Sequence, residues 1–338
     1  MEGLTPQTRY YFRVVAHESG EVHASNAVDT VTEEPAGPQL VLAREVTLHS
    51  QAHDIALQDH YLFAACKDGM LRIVNIEDPA MSSLVGQCEV YATATDVATQ
   101  PNYAYVATNG DRVKVVDASD RSSPRIEAQG GTEVSLFILA YGNLMFTGGW
   151  PEGLVSSRLV PVSDPMTTIT LYTEALDTFP DVLIVEGIIR DSLLFAVDCE
   201  YGLRIIDIAT PDSLHQIGSI QLPAGHVEVA LDGDYAYMAS GASGVQVIDV
   251  RDPGAPRVVA TYDTDGAAAG ISIVGNLAFV AIREPNLLVL DITTPTALRL
   301  HLNTGLPAAS LDVVATASNV YVSCEDSTLR IYGTELLQ

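Results

Sequence analysis

Acidic side chains recur at matched positions in this chain, where one short apolar segment after another begins. Five of them open the first apolar segment of a repeated unit: Asp54, Asp96, Glu186, Glu228 and Asp312. Ca²⁺ takes six to eight oxygen ligands from carboxylates and carbonyls, so a ring of inward-facing acids predicts a Ca²⁺ site made by these residues. The alternative is a solvated, repulsive rim whose acids hydrogen-bond to loop amides.

A second candidate site lies on loops that we expect on the same face. Trp150 is the only tryptophan of the chain and stands in the Gly-rich stretch TGGWPEG, and Tyr201 is a second loop aromatic. Together with Glu152 and Glu200 they form a candidate ligand-binding group, although packing would also explain the tryptophan. No catalytic residue is predicted, because the usual hydrolase, metalloprotease, phosphate-loop and EF-hand motifs are absent.

The segments that carry these residues repeat at a regular spacing. The residue that closes the second apolar run recurs every 42 to 46 positions and is Asn75, Asp117, Pro161, Asp207, Asp249, Asp291 and Gly333. Each unit contains four short strand patterns separated by turn signals such as the Asn-Gly pair at 109–110. No segment of helical period covers them, so the sheets must cover one another. The sequence therefore predicts an all-β, seven-bladed β-propeller.

The two ends of the repeat region predict how the ring closes. The seventh unit stops after three strands, and residues 39–50 form one lone strand pattern before the first unit. This strand can supply the missing edge, so that no open blade edge remains to aggregate. The predicted propeller domain spans residues 39–334.

The third strand of the unit carries a family resemblance. The stretches LRIVN, VKVVD, LRIID, VQVID and LLVLD are similar to the LVIVD repeat and are followed by Asp-Pro or Thr-Pro turns. The third unit departs most, with Pro161 in place of Asp and a long insertion. LVIVD-type proteins are generally extracellular or surface-associated, so the resemblance implies architecture and location better than activity.

Residues 1–35 do not fit the repeat. They resemble the last two strands of a fibronectin type III domain, with Tyr10 as the corner tyrosine and TEEPAGP as the linker. A lone hairpin is marginal in water. We therefore expect either that the chain is part of a longer secreted protein, or that the hairpin adds to a sheet of a partner chain.

Composition limits the partners. The formal net charge is −26, which disfavours nucleic acid and anionic lipid surfaces. No apolar run approaches the length of a membrane span. The four cysteines are expected to be buried free thiols, and a disulfide between Cys66 and Cys324 is the alternative.

Three functional hypotheses follow. The first is a non-enzymatic secreted or cell-surface propeller that acts as an interaction or structural module in a larger multidomain protein, with a protein or carbohydrate partner. The second is an extracellular glycan-acting hydrolase or lyase with its site at the acidic channel mouth. The third is a subunit of a self-assembling surface layer or filament that associates through residues 1–35.

Overall fold

The structure is a computed structural model of the chain, and it describes most of the repeat region. The described residues are 9–12, 15–18, 21–24, 28–31, 38–130, 134–141, 144–149, 153–158, 183–210, 214–223, 225 and 227–336. For the described residues before position 32, for 153–158 and for 335–336, only the backbone is described. Everything below concerns these residues.

Four short strands precede the repeat region: β1 (Arg9–Phe12), β2 (Val15–Glu18), β3 (Glu21–Ala24) and β4 (Val28–Val31). β1 pairs with β4 and β2 pairs with β3, both antiparallel. These strands form two separate two-stranded sheets.

The repeat region forms a ring of small antiparallel sheets. Sheet 1 contains β6 (Ala52–Gln58), β7 (Tyr61–Cys66), β8 (Met70–Asn75) and β9 (Ser83–Glu89). Sheet 2 contains β10 (Ala94–Gln100), β11 (Tyr103–Thr108), β12 (Val113–Asp117) and β13 (Arg125–Gly130). Sheet 3 contains β14 (Ser135–Tyr141), β15 (Leu144–Gly149) and β16 (Gly153–Arg158). Sheet 4 contains β17 (Ile184–Arg190), β18 (Leu193–Asp198), β19 (Gly202–Asp207) and β20 (His215–Gln221).

The remaining sheets follow the same order. Sheet 5 contains β21 (Glu228–Asp232), β22 (Tyr235–Ala239), β23 (Val245–Asp249) and β24 (Arg257–Tyr262). Sheet 6 contains β25 (Ala268–Val274), β26 (Leu277–Ile282), β27 (Asn286–Asp291) and β28 (Arg299–Gly305). Sheet 7 contains β29 (Ser310–Ala315), β30 (Asn319–Cys324), β31 (Thr328–Leu336) and, as its outermost strand, β5 (Gln39–Thr47). A short 3₁₀ helix, Pro79–Met81, lies between β8 and β9.

The protein is an all-β propeller, but the prediction of seven complete blades needs correction. Six sheets have four strands, whereas sheet 3 has three among the described residues. Sheet 3 still occupies a place in the ring, because its innermost strand contacts those of sheets 2 and 4. Pro161, which marked the irregular third unit in the sequence, lies outside the described residues.

The ring closes through strands from its two ends, as the sequence predicted. β5 pairs antiparallel with β31, with Thr47 opposite Thr328 and Gln39 opposite Leu336. The innermost strands of sheets 7 and 1 are in contact, so the circle is complete.

The near-continuous apolar runs of the second and third strands are explained by burial on both faces. Alternate side chains of a strand point to opposite faces of its sheet. In β7, Leu62 and Ala64 pack toward sheet 7, whereas Phe63 and Ala65 pack toward sheet 2. Each sheet thus shares one apolar layer with the sheet before it and another with the sheet after it. Because both faces of these strands are buried, apolar and polar residues do not alternate along them.

The polar residues that close the third strands cap the turns that follow them. Each accepts a hydrogen bond from the backbone N–H two residues later, which is the role expected from their repetition: Asn75, Asp117, Asp207, Asp249 and Asp291. The Cys66–Cys324 disulfide is ruled out. All four cysteines are free thiols, three of them buried, as expected.

Candidate functional site

Five acids occupy the same position in the innermost strands, one residue after a register shift in most of them. Ala52 pairs with Cys66 and Asp54 pairs with the adjacent residue Ala65, so His53 has no partner in β7 and forms a β-bulge. The same bulge precedes Asp96, Glu186 and Asp312, whereas Glu228 begins β21. Bulges re-aim side chains and end regular pairing. Here they present the carboxyl groups to the central channel.

Two sheets carry other residues at this position. Sheet 3 has Phe137, which is fully buried in an apolar cluster. Sheet 6 has Gly270, where an added Cβ would lie 2.9 Å from Oδ1 of Asp312 and 3.0 Å from Oε2 of Glu228. The glycine thus leaves space in which the carboxyl groups of sheets 5 and 7 approach each other.

The acids line a polar cavity of about 450 Å³ in the channel. Oxygen atoms of Asp54, Asp96 and Glu186 lie within 4.8 Å of one another. The carboxyl group of Asp54 also reaches those of Asp96 and Asp312 at hydrogen-bonding distance. Asp96 and Asp312 are buried, at 4% and 5% exposure, while the others keep partial access to the channel. The five predicted metal ligands therefore converge on one place.

Most of these carboxylates also join neighbouring sheets. Four of them accept a hydrogen bond from a backbone N–H on the innermost strand of the next sheet, just after the bulge: Ile55 to Asp312 at 2.9 Å, Val97 to Asp54 at 2.9 Å, Ile138 to Asp96 at 2.6 Å and Ile271 to Glu228 at 2.7 Å. We call these contacts the latch bonds. They give partners to buried N–H groups, which are costly to leave unpaired.

The pattern changes where a sheet lacks the acid. After Phe137, Glu186 in the next sheet accepts from the N–H of its own neighbour Gly187 at 2.8 Å. After Gly270, Asp312 accepts in the same way from Val313 at 2.6 Å. Where the preceding sheet has no acid at this position, the carboxylate therefore accepts a hydrogen bond from a backbone N–H of its own strand.

Burial raises the pKa of all five carboxyl groups well above the ordinary value. Neighbouring carboxylates raise these pKa values further: Asp96 acts on Asp54, Asp54 acts on Glu186 and Asp312, Glu186 acts on Asp96, and Asp312 acts on Glu228. The cause is that close like charges in a poorly hydrated space disfavour ionisation. The acid ring therefore retains protons at a pH where exposed carboxyls are charged, and a cation would replace them.

The mouth of the channel carries two cationic side chains and one further acid. Lys67, Arg283 and Glu325 line the cavity above the acids, together with His53. The Nδ1 atom of His53 lies 3.0 Å from the carbonyl oxygen of Ala94, which marks Nδ1 as the protonated nitrogen. Burial lowers the pKa of His53, and the charges of Lys67 and Arg283 lower it further.

Of the second predicted group, the structure describes Tyr201 and Glu200. Tyr201 stacks on the guanidinium of Arg204, 4.3 Å from ring centroid to Cζ, and Glu200 is exposed on the same loop. Neither lines the channel cavity. Trp150 and Glu152 lie outside the described residues.

Several acids of these loops neutralise buried cations instead. Arg72 bonds Asp68 through both terminal nitrogens, at 2.8 and 2.6 Å, and Arg330 bonds Asp326 in the same manner. Arg204 contacts Oδ2 of Asp198 through Nε and Nη2, both at 2.8 Å. In sequence, each pair is marked by an arginine at the third position of the third strand. An analysis of the acidic residues alone does not detect this signal.

Among the residues that the structure describes, no helix is long and apolar enough to span a membrane.

Comparison with known proteins supports the fold. The LVIVD repeat model matches residues 50–90, 92–129, 224–264 and 265–304. The WD40 β-propeller domain of Doa1 is similar in structure, with 11% identity over 88% of this chain and 98% of that chain and a TM-score of 0.68. The computationally designed Ika8 protein is also similar, with 10% identity over 85% of this chain and 98% of that one and a TM-score of 0.63.

These likenesses establish the fold alone. No curated protein sequence matches the chain at a significant level. The resemblance of residues 1–35 to a fibronectin type III domain is not supported by the matches, which concern the repeats and the propeller.

Proposed function

Since the chain is a β-propeller that carries LVIVD repeats, we propose that it is a non-enzymatic binding module whose ligand site is the acid ring in the channel. The observation that carries this proposal is the convergence of five acids from five different sheets on one polar cavity. A closed ring whose innermost strands are joined by latch bonds is a rigid support for such a site. The ligand would be cationic, because the cavity floor holds only acids as its ionisable groups.

A hard divalent cation such as Ca²⁺ is the second candidate for this site. The donor set fits, because Asp54, Asp96 and Glu186 each place a carboxylate oxygen within 4.8 Å of the others. The latch bond of Asp54 uses Oδ2 and that of Glu228 uses Oε2, so each side chain has a second oxygen for an ion. The gap at Gly270 adds room between Glu228 and Asp312.

The test is a titration of the full chain with CaCl₂ and with hexylamine, followed by thermal melting and calorimetry after treatment with EDTA. A ligand that binds only the folded state raises stability in proportion to the logarithm of its concentration over its Kd. We expect this rise in the natural chain and its loss in Asp54→Asn/Glu186→Gln. The exposed Glu77→Gln is the matched control. An unchanged midpoint and no binding heat with both ligands would refute the site.

We also propose that the module acts outside the cell or at its surface, as part of a larger protein, with residues 1–35 and 39–334 as separate units. The acidic charge and the repeat type support this location. Secretion of the chain from its source cells, measured by fractionation, tests it.

Self-association through residues 1–35 stays a prediction. Deletion of residues 1–37 leaves β5 in place, so the ring keeps its closing strand. If the hairpin assembles subunits, this deletion reduces the mass measured by light scattering. An unchanged monomeric mass in both forms contradicts it.

A further inference from the structure

Two cations at the channel mouth have no partner of their own. Lys67 and Arg283 are exposed residues that line the cavity, and neither makes an ion pair or hydrogen bond through its side chain with any residue in the described part of the chain. Such cations are unusual here, since 43 Asp and Glu residues face only 17 Lys and Arg. The only other lysine, Lys114, is buried and bonds Asp111 at 2.9 Å and Gln129 at 2.6 Å.

The backbone fixes where these cations stand. The N–H of Lys67 bonds the carbonyl of Gln51, and the N–H of Arg283 bonds that of Ala267, both at 2.9 Å. Gln51 precedes Asp54 by three residues, and Ala267 precedes Gly270 by three. Because a bulge interrupts this stretch, Lys67 lies only two residues beyond Ala65, the partner of Asp54. At about 3.3 Å per residue, the rim therefore stands roughly 7 Å from the acid ring along the strand direction.

Among the described residues, the charges at this level of the rim lie on one side of the mouth. Sheets 6, 7 and 1 are neighbours, and they carry Arg283, Glu325 and Lys67 at equivalent positions. The equivalent residues of sheets 2 and 4, Asn109 and Cys199, are uncharged. In sheet 5 the strand pairing puts Gly241 at this position. The cavity therefore has two cations and one carboxylate at one side of its entrance and five acids below. Lys67 and Arg283 both act on the charge of His53 within it.

We infer that the channel takes a small dipolar ligand, a primary amine that also bears a carboxylate, with its ammonium on the acid ring and its carboxylate at Lys67 and Arg283. This inference rests on the proposed function and adds the anionic half of the ligand. An ammonium offers three donors to the clustered carboxylates. A guanidinium matches a carboxylate with two parallel bonds, and the lysine adds a point charge. A spacer of several methylenes would bridge the two levels.

The experiment compares paired probes that differ only in the carboxylate. Calorimetric titration of the full chain uses 4-aminobutyrate and 6-aminohexanoate against butylamine and hexylamine at low salt. We expect one of the amino-carboxylates to bind more tightly than its amine. Each of Lys67→Gln and Arg283→Gln should reduce its affinity about twofold to fivefold, the range for exposed ion pairs, and leave the amines unaffected. Arg44→Gln, on outermost strand β5, is the control and should change nothing.

The outcomes separate this inference from the proposed function. If the amines or Ca²⁺ bind but the amino-carboxylates gain nothing, or if their gain survives both rim substitutions, the dipolar ligand is refuted and the cationic site stands. If no amine, amino-carboxylate or Ca²⁺ binds, both fail. A gain that disappears in Lys67→Gln/Arg283→Gln supports the inference.

Discussion

Neutralising Asp54 should stabilise the propeller at pH 8 while leaving its stability nearly unchanged at pH 3.5. Asp54 is central to the acid ring, since its carboxyl group reaches both Asp96 and Asp312. In Asp54→Asn the amide oxygen still accepts the latch bond from Val97, which is 2.9 Å long in the natural chain. The substitution therefore removes a charge and keeps the shape and the hydrogen bond.

The sign follows from proton binding. The raised pKa means that the folded state binds more protons than the unfolded state, whose aspartates titrate near pH 4. The free energy of unfolding is therefore highest below about pH 4 and decreases as the pH rises toward the raised pKa, by about 1.4 kcal/mol per pH unit for each such proton. At a separation of 4.8 Å and an effective dielectric constant of about 20, two charged carboxylates repel by about 3 kcal/mol.

The assay is urea unfolding of the natural chain and of Asp54→Asn at pH 3.5, 5, 6.5 and 8 in the presence of EDTA. We expect nearly equal stability at pH 3.5 and an advantage for Asp54→Asn that grows with pH to about 1–3 kcal/mol at pH 8. His53 has a lowered pKa and contributes the opposite slope up to about pH 6.5, but it is common to both chains and cancels in the difference. Glu77→Gln should follow the natural chain. Identical pH dependence of the two chains, or a natural chain that becomes more stable from pH 7 to 8, would refute the reasoning.

Three further predictions concern packing and reactivity. Gly86→Ala should lower the free energy of unfolding by about 1–3 kcal/mol, since its Cβ would lie 1.9 Å from the carbonyl oxygen of Arg121; urea melts measure this, and an unchanged midpoint contradicts it. Gly270→Ala should weaken Ca²⁺ binding about tenfold by filling the space beside Asp312, as calorimetry can test; unchanged affinity would place the ion elsewhere. The Cys66 thiol, whose pKa burial raises to about 11, should react with Ellman's reagent at pH 8 only after unfolding; prompt reaction in the folded chain would mean that the site opens.

The sequence predicted the parts of the fold that depend on local repetition. Strand count per unit, the capping role of residues such as Asp117 and the closure by β5 all follow from spacing and turn chemistry. The third unit was the exception, because the register there rested on Pro161 and a long insertion rather than on a repeated apolar pattern. Among the described residues, six sheets have four strands and the third has three.

The acid ring was predictable as a cluster but not in its bonding. Spacing placed Asp54 and its equivalents at one end of the innermost strands, and the structure gathers them. Most of the acids follow a β-bulge, and the backbone N–H after the bulge bonds the acid of the preceding sheet. Both features depend on pairing between strands, so no sequence motif predicts them. The pairing of loop acids such as Asp68 and Asp198 with buried arginines was not predictable from the acids alone, because only the position of the third strand brings these arginines beside them.

The closing sheet determines how the ring would respond to tension. Gln39 opposes Leu336, so the chain enters β5 and leaves β31 at the same end of one antiparallel pair. A pulling force applied through the flanking segments would load the hydrogen bonds of this pair one after another rather than together. Its mechanical resistance would be low, and β5 would peel away before any other sheet is strained.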